Sequence, residues 1–369
     1  MSDAGARDPA GIEVSDRHDA VAGLDRLALT IGPDDDLARA LQDAYRRLRP
    51  DGTLVLTVRS PQGAADRLVG RLVPGRQWVR RGPRWPDVAN ALFRHGFERP
   101  RLTSSRASFD VVARRSRLAP PGERTQRLSI VMPVYNEHAT FRAAMDAVVA
   151  KSVPGMDIEI VVVESNSTDG TREIVQGYAA RPGVRLVFED RPQGKGHAVR
   201  TGLAHADGDF VLIQDADLEY DVEDYDKLLE PLRAAEAGFV LGIRTGPTGS
   251  SWRMRDFGQH SLVSRIMNVG HVLFLALFNA VYGQHLRDPF TMYKLFRRDC
   301  IHGMRLECDR FDFDWELTGK LIRAGYAPVE IPIIYRSRSY SEGKKVSFLR
   351  DPITWVVACF KYRFAKLYD

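Results

Sequence analysis

The sequence predicts two α/β units, a small one followed by a larger one organised on a mostly parallel sheet with helices on both faces. Three observations lead there. After residue 128, short apolar runs alternate with helical patterns, which is the signature of strands joined by crossover helices. Ala119-Pro120-Pro121-Gly122-Glu123-Arg124 forms a Pro/Gly- and charge-rich break, and the chain changes character across it. The length of 369 residues and a hydrophobic fraction of 44% suit two ordinary buried cores. The expected limits are a small domain over 1–118, a linker over 119–127, a larger domain over 128–350 and a C-terminal basic helix over 351–369.

In the first unit, Leu24 to Ile31 reads as a strand and Asp36 to Leu48 as an amphipathic helix. Pro50-Asp51-Gly52 reads as a turn, Thr53 to Val58 as a strand, Ala89 to His95 as a helix and Phe109 to Ala113 as a further strand. In the second unit, strands are expected at Leu128–Pro133, Ile158–Glu164, Val184–Glu189 and Phe210–Gln214. Helices are expected to begin near Thr140, Thr171 and Gly196. A parallel sheet of this kind opens a ligand crevice beyond the carboxyl ends of its strands.

The polar residues gather at those ends. Pro133-Val134-Tyr135-Asn136-Glu137 follows the first strand, and Glu164-Ser165-Asn166-Ser167-Thr168-Asp169-Gly170 follows the second. Glu189-Asp190 through Gly194-Lys195-Gly196 follows the third, and Asp215-Ala216-Asp217-Leu218-Glu219 follows the fourth. Acidic and amide groups suit a base and ribose, Lys195 suits an anion, and the last carboxylates suit a hard divalent cation. Together they outline a nucleotide-diphosphate pocket. Singly each is weak, because Asn-Ser-Thr-Asp-Gly is commonly a capped loop and Gly-Lys-Gly a turn.

With those residues in view, the stretch from about Ser129 to Phe364 resembles a family 2 glycosyltransferase of the Rossmann-like GT-A fold. The segments Val131–Glu137 and Gln214–Glu219 carry most of the likeness. Asp288–Arg298, Phe311–Glu316 and Glu342-Gly343-Lys344-Lys345 resemble dolichyl-phosphate mannose or glucose synthases and their bacterial polyprenyl-phosphate relatives. The first third, notably Ala44–Leu56 and His95-Gly96-Phe97, resembles the C-terminal half of a class I methyltransferase but lacks a Gly-rich cofactor loop. It reads as a non-catalytic remnant, either structural or docking a protein partner.

The resemblance implies roles. Pro133, Tyr135, Glu137, Glu164, Asn166, Asp169 and Asp190 would bind the nucleoside of a nucleotide diphosphate sugar. Asp215, Asp217 and Glu219 would hold Mg2+ or Mn2+, Glu219 standing where relatives often carry Gln. Lys195 and Arg244 would meet donor phosphate, and Arg253 and Arg255 would be further phosphate ligands, on the acceptor side. Arg336, Arg338, Lys344 and Lys345 would serve an anionic acceptor, a polyprenyl phosphate, which needs cations rather than a base. For a hydroxyl acceptor, Asp314 or Glu316 would be the base and Asp288 the reserve, although Glu316 could equally orient a helix. Candidates for the chemical step are therefore Asp217, Asp314, Glu316 and Arg338. The expected reaction is a metal-dependent, inverting sugar transfer; the alternatives are a soluble hydroxyl acceptor and a non-catalytic nucleotide-sugar-binding scaffold.

Charge and apolar patterning bear on location. The formal net charge is +5, and residues 336–369 hold eight Lys or Arg against three Asp or Glu, so the basic surplus sits at the end of the chain. Nucleic acid is not expected as a partner, because that tail carries no recognition module. Leu262 to Tyr282 is apolar but interrupted by Ser264, Arg265, Asn268, His271 and Asn279, too short a run to cross a bilayer. Ile353, Val357, Phe360, Phe364 and Leu367 recur at helical spacing beside Lys361, Arg363 and Lys366. Such a helix either lies in a membrane interface or packs on the sheet. Three scattered cysteines and a polar Met1–Asp19 stretch fit a reducing compartment. The expectation is a cytoplasmic chain bound peripherally at the cytosolic face of a membrane.

Overall fold

The computed structural model describes residues 13–14, 23–32, 35–59, 85–104, 108–245, 261–336 and 351–368. They form two compact units, Met1–Arg124 and Thr125–Asp369.

The first unit is a five-stranded sheet of order β1-β2-β3-β5-β4. Its strands are β1 (Glu13–Val14), β2 (Leu24–Ile31), β3 (Leu48–Arg59), β4 (Phe97–Ser104) and β5 (Ser108–Arg115). Period-two alternation puts Leu27, Leu29 and Ile31 of β2 and Leu54, Leu56 and Val58 of β3 in one core. Helices α1 (Leu37–Arg47) and α2 (Trp85–Arg94) close it with Leu41, Ala44, Val88 and Leu92. Asp36 caps α1 by accepting from the Arg39 amide.

The expected turn at Pro50–Gly52 proves to be a bulge inside a single strand. Leu24 pairs with Leu48 but Arg26 with Thr53, and Asp51 takes a left-handed φ of 66°. A side chain at Gly52 would lie 2.8 Å from the Arg49 carbonyl and 2.9 Å from that of Leu24, so only glycine fits.

The second unit carries a seven-stranded sheet of order β12-β10-β11-β9-β6-β7-β8. Its strands are β6 (Gln126–Val134), β7 (Met156–Glu164), β8 (Val184–Phe188), β9 (Phe210–Ile213), β10 (Phe239–Thr245), β11 (Lys294–Arg297) and β12 (Val329–Ile334). All run parallel except β11, which lies antiparallel between β9 and β10. The mostly parallel sheet with helices around it matches the GT-A expectation. Sequence patterning missed β11 because its four residues are all buried and show no alternation.

The helices are α3 (Phe141–Ala150), α4 (Thr171–Gln176), α5 (Lys195–His205), α6 (Tyr225–Arg233), α7 (Ser261–Tyr282), α8 (Phe313–Arg323) and α9 (Asp351–Phe364). Gly202 lets α5 lie directly against Val131 of β6 and Val163 of β7. Helix α9 buries Ala358, Cys359 and Tyr362. Its other face, with Val357, Phe360 and a Phe364 that is 79% exposed, stays open. Among the described residues, no helix is long and apolar enough to cross a membrane.

Candidate active site

Strand order reverses between β6 and β9, the point at which open α/β sheets place a ligand crevice beyond the strands' carboxyl ends. Two loops build one side of this region. Asn136 and Asn166 adopt left-handed φ values of 51° and 56°, which Asn tolerates better than most residues. The Asn136 amide donates 2.9 Å to the Ser167 hydroxyl, and the Thr168 amide donates 2.9 Å back to Asn136 Oδ1. The Glu137 amide donates to Thr171 Oγ1, and the His138 amide to Asp169 Oδ2.

Several predicted nucleoside ligands are thereby committed to the loops themselves. Glu164 is fully buried; one oxygen accepts from the Ser167 amide at 2.7 Å and the other forms an ion pair with Arg172 at 3.2 Å. Arg172 also donates to Asn166 Oδ1. Burial works against the Asp169 charge, yet bonds from Thr171 and His138 outweigh it and hold the carboxyl below its usual range. Glu164, Asn166 and Asp169 thus shape the cradle. Tyr135 and Asp190 are exposed, and Pro133 and Glu137 are half-buried.

The opposite wall is ionic. Lys195, the first residue of α5, pairs with Asp215 at 2.7 Å. Burial opposes its charge, but the carboxylates of Asp215, Asp314 and Asp217 raise its pKa above the ordinary lysine value. Asp314 reaches the same place from α8, bonded at 2.6 Å to the fully buried ammonium of Lys294. Burial pushes its carboxyl up, against the pull of Lys294 and Lys195. The structure therefore brings Lys195, Asp215, Asp217 and Asp314 together. Lys294, which sequence reasoning missed, is the fully buried first residue of the short strand Lys-Leu-Phe-Arg, where no local pattern marks it.

The hard carboxylate oxygens of this set are of the kind that bind Mg2+ or Mn2+. Among the described residues, however, no group of three or more ligating side chains is already assembled. Glu219 accepts a 2.8 Å bond from the Tyr335 hydroxyl, and Asp217 Oδ1 accepts from the Glu219 amide at 3.1 Å.

Three expectations need correction. Glu316 does not offer a free base: it is fully buried and accepts from the amides of Glu307 (2.9 Å) and Cys308 (2.8 Å) and from the Lys320 ammonium (2.7 Å). Arg244 does not present its guanidinium fork to phosphate, because Nε and NH2 grip Asp288 at 2.7 and 2.8 Å. Asp288, fully buried in that pair, is no reserve base. Arg336 is exposed just beyond β12. Arg253, Arg255, Arg338, Lys344 and Lys345 lie outside the described residues.

The Gly-Lys-Gly element has a structural reason. A side chain at Gly196 would sit 2.6 Å from the Cys308 carbonyl, and Gly194 takes a φ of 105° against Asp309. The glycines let the 308–310 backbone close on the start of α5, where Arg200 donates to the Cys308 carbonyl at 3.1 Å.

Residues 129–303 match the glycosyl transferase family 2 model. The undecaprenyl-phosphate 4-deoxy-4-formamido-L-arabinose transferase of Edwardsiella ictaluri is 31% identical over 59% of this chain and 63% of that protein. The dolichol-phosphate mannosyltransferase of Pyrococcus furiosus is 25% identical over 59% of each. The chain thus spans less than two thirds of the length of these relatives. Among solved structures, the glucosyl-3-phosphoglycerate synthase of Mycobacterium tuberculosis, in complex with Mn2+, uridine diphosphate and phosphoglyceric acid, is 21% identical. It covers 64% of this chain and 78% of that one, at a TM-score of 0.48.

Proposed function

We propose that this chain, whose residues 129–303 match the glycosyl transferase family 2 model, is a glycosyltransferase that moves a sugar from a nucleotide diphosphate donor to a polyprenyl phosphate at a membrane surface. The observation that carries the reading is the meeting of Lys195, Asp215, Asp217 and Asp314 at the crevice between β6 and β9. The polyprenyl-phosphate names of the relatives support the acceptor class.

In the proposed reaction the acceptor phosphate oxygen attacks the anomeric carbon from the face opposite the leaving group. The bond from that carbon to the nucleoside diphosphate breaks, and the configuration inverts. Mg2+ or Mn2+, held by Asp215 and Asp217 with Glu219 as a further ligand, would supply the positive charge that the leaving diphosphate needs. Lys195 adds a cation whose raised pKa keeps it protonated, and the exposed faces of Tyr135 and Asp190 meet the nucleoside. A phosphate acceptor brings its own negative charge, so no residue has to remove a proton. Arg336 and the basic residues 338, 344 and 345 are the proposed partners of that phosphate.

The open face of α9 supports a peripheral position on an anionic membrane, proposed to be its cytosolic side, because Phe360 and Phe364 are exposed beside Lys361. The first unit is proposed to dock a protein partner. The second reading keeps the same donor with a soluble hydroxyl acceptor, and Asp314 favours it as a carboxylate of the ionic wall whose pKa burial raises.

The test is transfer of radiolabelled sugar from UDP-glucose, GDP-mannose and related donors into organic-extractable lipid, with polyprenyl phosphate and Mg2+ present. Label in the lipid, abolished in Asp217→Asn, is the expected result. No transfer from any common donor, or full activity in Asp217→Asn, refutes it. Label appearing only in water-soluble saccharide selects the hydroxyl reading.

A further inference from the structure

Gln214 immediately precedes the acidic turn and is only 2% exposed at the end of β9. A buried amide must find partners for its carbonyl and its NH2 group. Its Oε1 accepts from two hydroxyls, Tyr225 of α6 and Tyr293 just before β11, each at 2.7 Å. Its Nε2 donates 2.9 Å to the carbonyl of Asp215. Tyr293 is itself fixed, stacked on Tyr220 with ring centres 4.4 Å apart and its hydroxyl 3.0 Å from the Asp221 carbonyl. From the other side of the crevice, the Thr140 hydroxyl takes the carbonyl of Ala216 at 2.8 Å.

Two consecutive carbonyls of Asp215-Ala216-Asp217 are therefore held from separate elements. Fixing those peptide planes fixes the Cα–Cβ directions of both aspartates. Apolar residues would fill this volume equally well, so packing does not explain an amide and two hydroxyls beneath the turn. We infer that Gln214, clamped by Tyr225 and Tyr293, is a positioning residue that orients the acidic turn so that Asp215 and Asp217 offer their carboxylates to one divalent cation. This rests on the proposed metal role of those aspartates. Groups that orient ligands from behind commonly govern metal affinity by about 10- to 100-fold.

The experiment measures Mn2+ binding by electron paramagnetic resonance, with and without UDP or GDP, for the parent chain, Gln214→Met and Tyr293→Phe. Gln214→Met is expected to weaken Mn2+ binding at least about tenfold. Tyr293→Phe keeps the ring stack, loses one hydroxyl, and is expected to weaken binding by a smaller factor. In both, turnover lost at limiting Mn2+ should return at saturating Mn2+, which a general loosening of the core would not produce. Parent-like Mn2+ affinity in both variants overturns the inference even if melting temperatures fall. If Gln214→Met does not fold, Tyr293→Phe decides alone. A parent chain that binds no Mn2+ under any of these conditions overturns the metal reading and this inference with it.

Discussion

Replacing Glu316 with Gln separates a structural carboxylate from a reacting one. Glu316 and Lys320 are both fully buried and bonded at 2.7 Å, and the second oxygen of Glu316 takes the Cys308 amide at 2.8 Å. In Glu316→Gln the NH2 group must face either a backbone N–H or an ammonium, donor against donor. Lys320 then keeps the Arg305 carbonyl, the Tyr362 ring and at best a neutral amide oxygen as partners for a buried positive charge. Breaking a buried ion pair from one side costs about 3–5 kcal/mol. For a unit the size of Thr125–Asp369, that corresponds to a melting temperature lower by roughly 6–20 °C. Differential scanning calorimetry reads this directly. Turnover should fall only in step with the folded fraction, and at a temperature where the variant is folded most of it should remain. A variant that melts within about 2 °C of the parent yet transfers no sugar would refute the structural assignment and make Glu316 a reacting group.

Arg244→Met should destabilise by about 3–5 kcal/mol in urea titrations, since it strands the buried Asp288 charge, and Arg244→Lys should rescue little because an ammonium cannot reproduce the two-point grip. Burial opposes the Asp288 charge, but Arg244 holds its pKa below the usual value. The stability this pair contributes is therefore present above the ordinary carboxylate pKa and is lost as pH falls through the lowered one; urea titrations from neutral to acid should show that loss in the parent and not in Arg244→Met. Gly196→Ala places a methyl 2.6 Å from the Cys308 carbonyl and should cost about 1–3 kcal/mol, with weaker donor binding by calorimetry. Val357→Asp with Phe364→Asp, at positions 59% and 79% exposed, should leave the melting temperature unchanged while cutting sedimentation with anionic vesicles several-fold; unchanged sedimentation would remove α9 from the membrane reading.

What the sequence disclosed follows from how local each signal is. The strand-end motifs at Tyr135, Asn166, Lys195 and Asp215 were legible because order along the chain becomes adjacency at one edge of a parallel sheet. The amphipathic stripe of α9 was legible, but which way it faced was not, because membrane burial and core burial select the same residues. The partnerships of Arg244 and Glu316 were invisible. Asp288 lies 44 positions from Arg244, and the amides that claim Glu316 belong to an irregular loop whose path depends on Gly194 and Gly196 meeting Asp309 and Cys308. A motif identifies a charged residue, whereas only the fold shows whether its hydrogen bonds are already spent.

The pairing of Asp314 with Lys294 bears on the choice of acceptor. An unpaired carboxylate about 4 Å from an incoming phosphate would repel it by about 4 kcal/mol at an effective dielectric of 20, enough to exclude an anionic acceptor from a crevice already holding Asp215 and Asp217. Lys294 pairs with Asp314 at 2.6 Å, so an anionic acceptor approaching Asp314 would meet a pair rather than a bare anion. For a hydroxyl acceptor the same contact would work the other way, since an ammonium bonded to the base lowers its appetite for a proton while burial raises it. Removing the ammonium should therefore push the two readings in opposite directions. Lys294→Met would slow transfer to a lipid phosphate by adding repulsion, whereas transfer to a hydroxyl would persist with the acid limb of its pH profile moved upward.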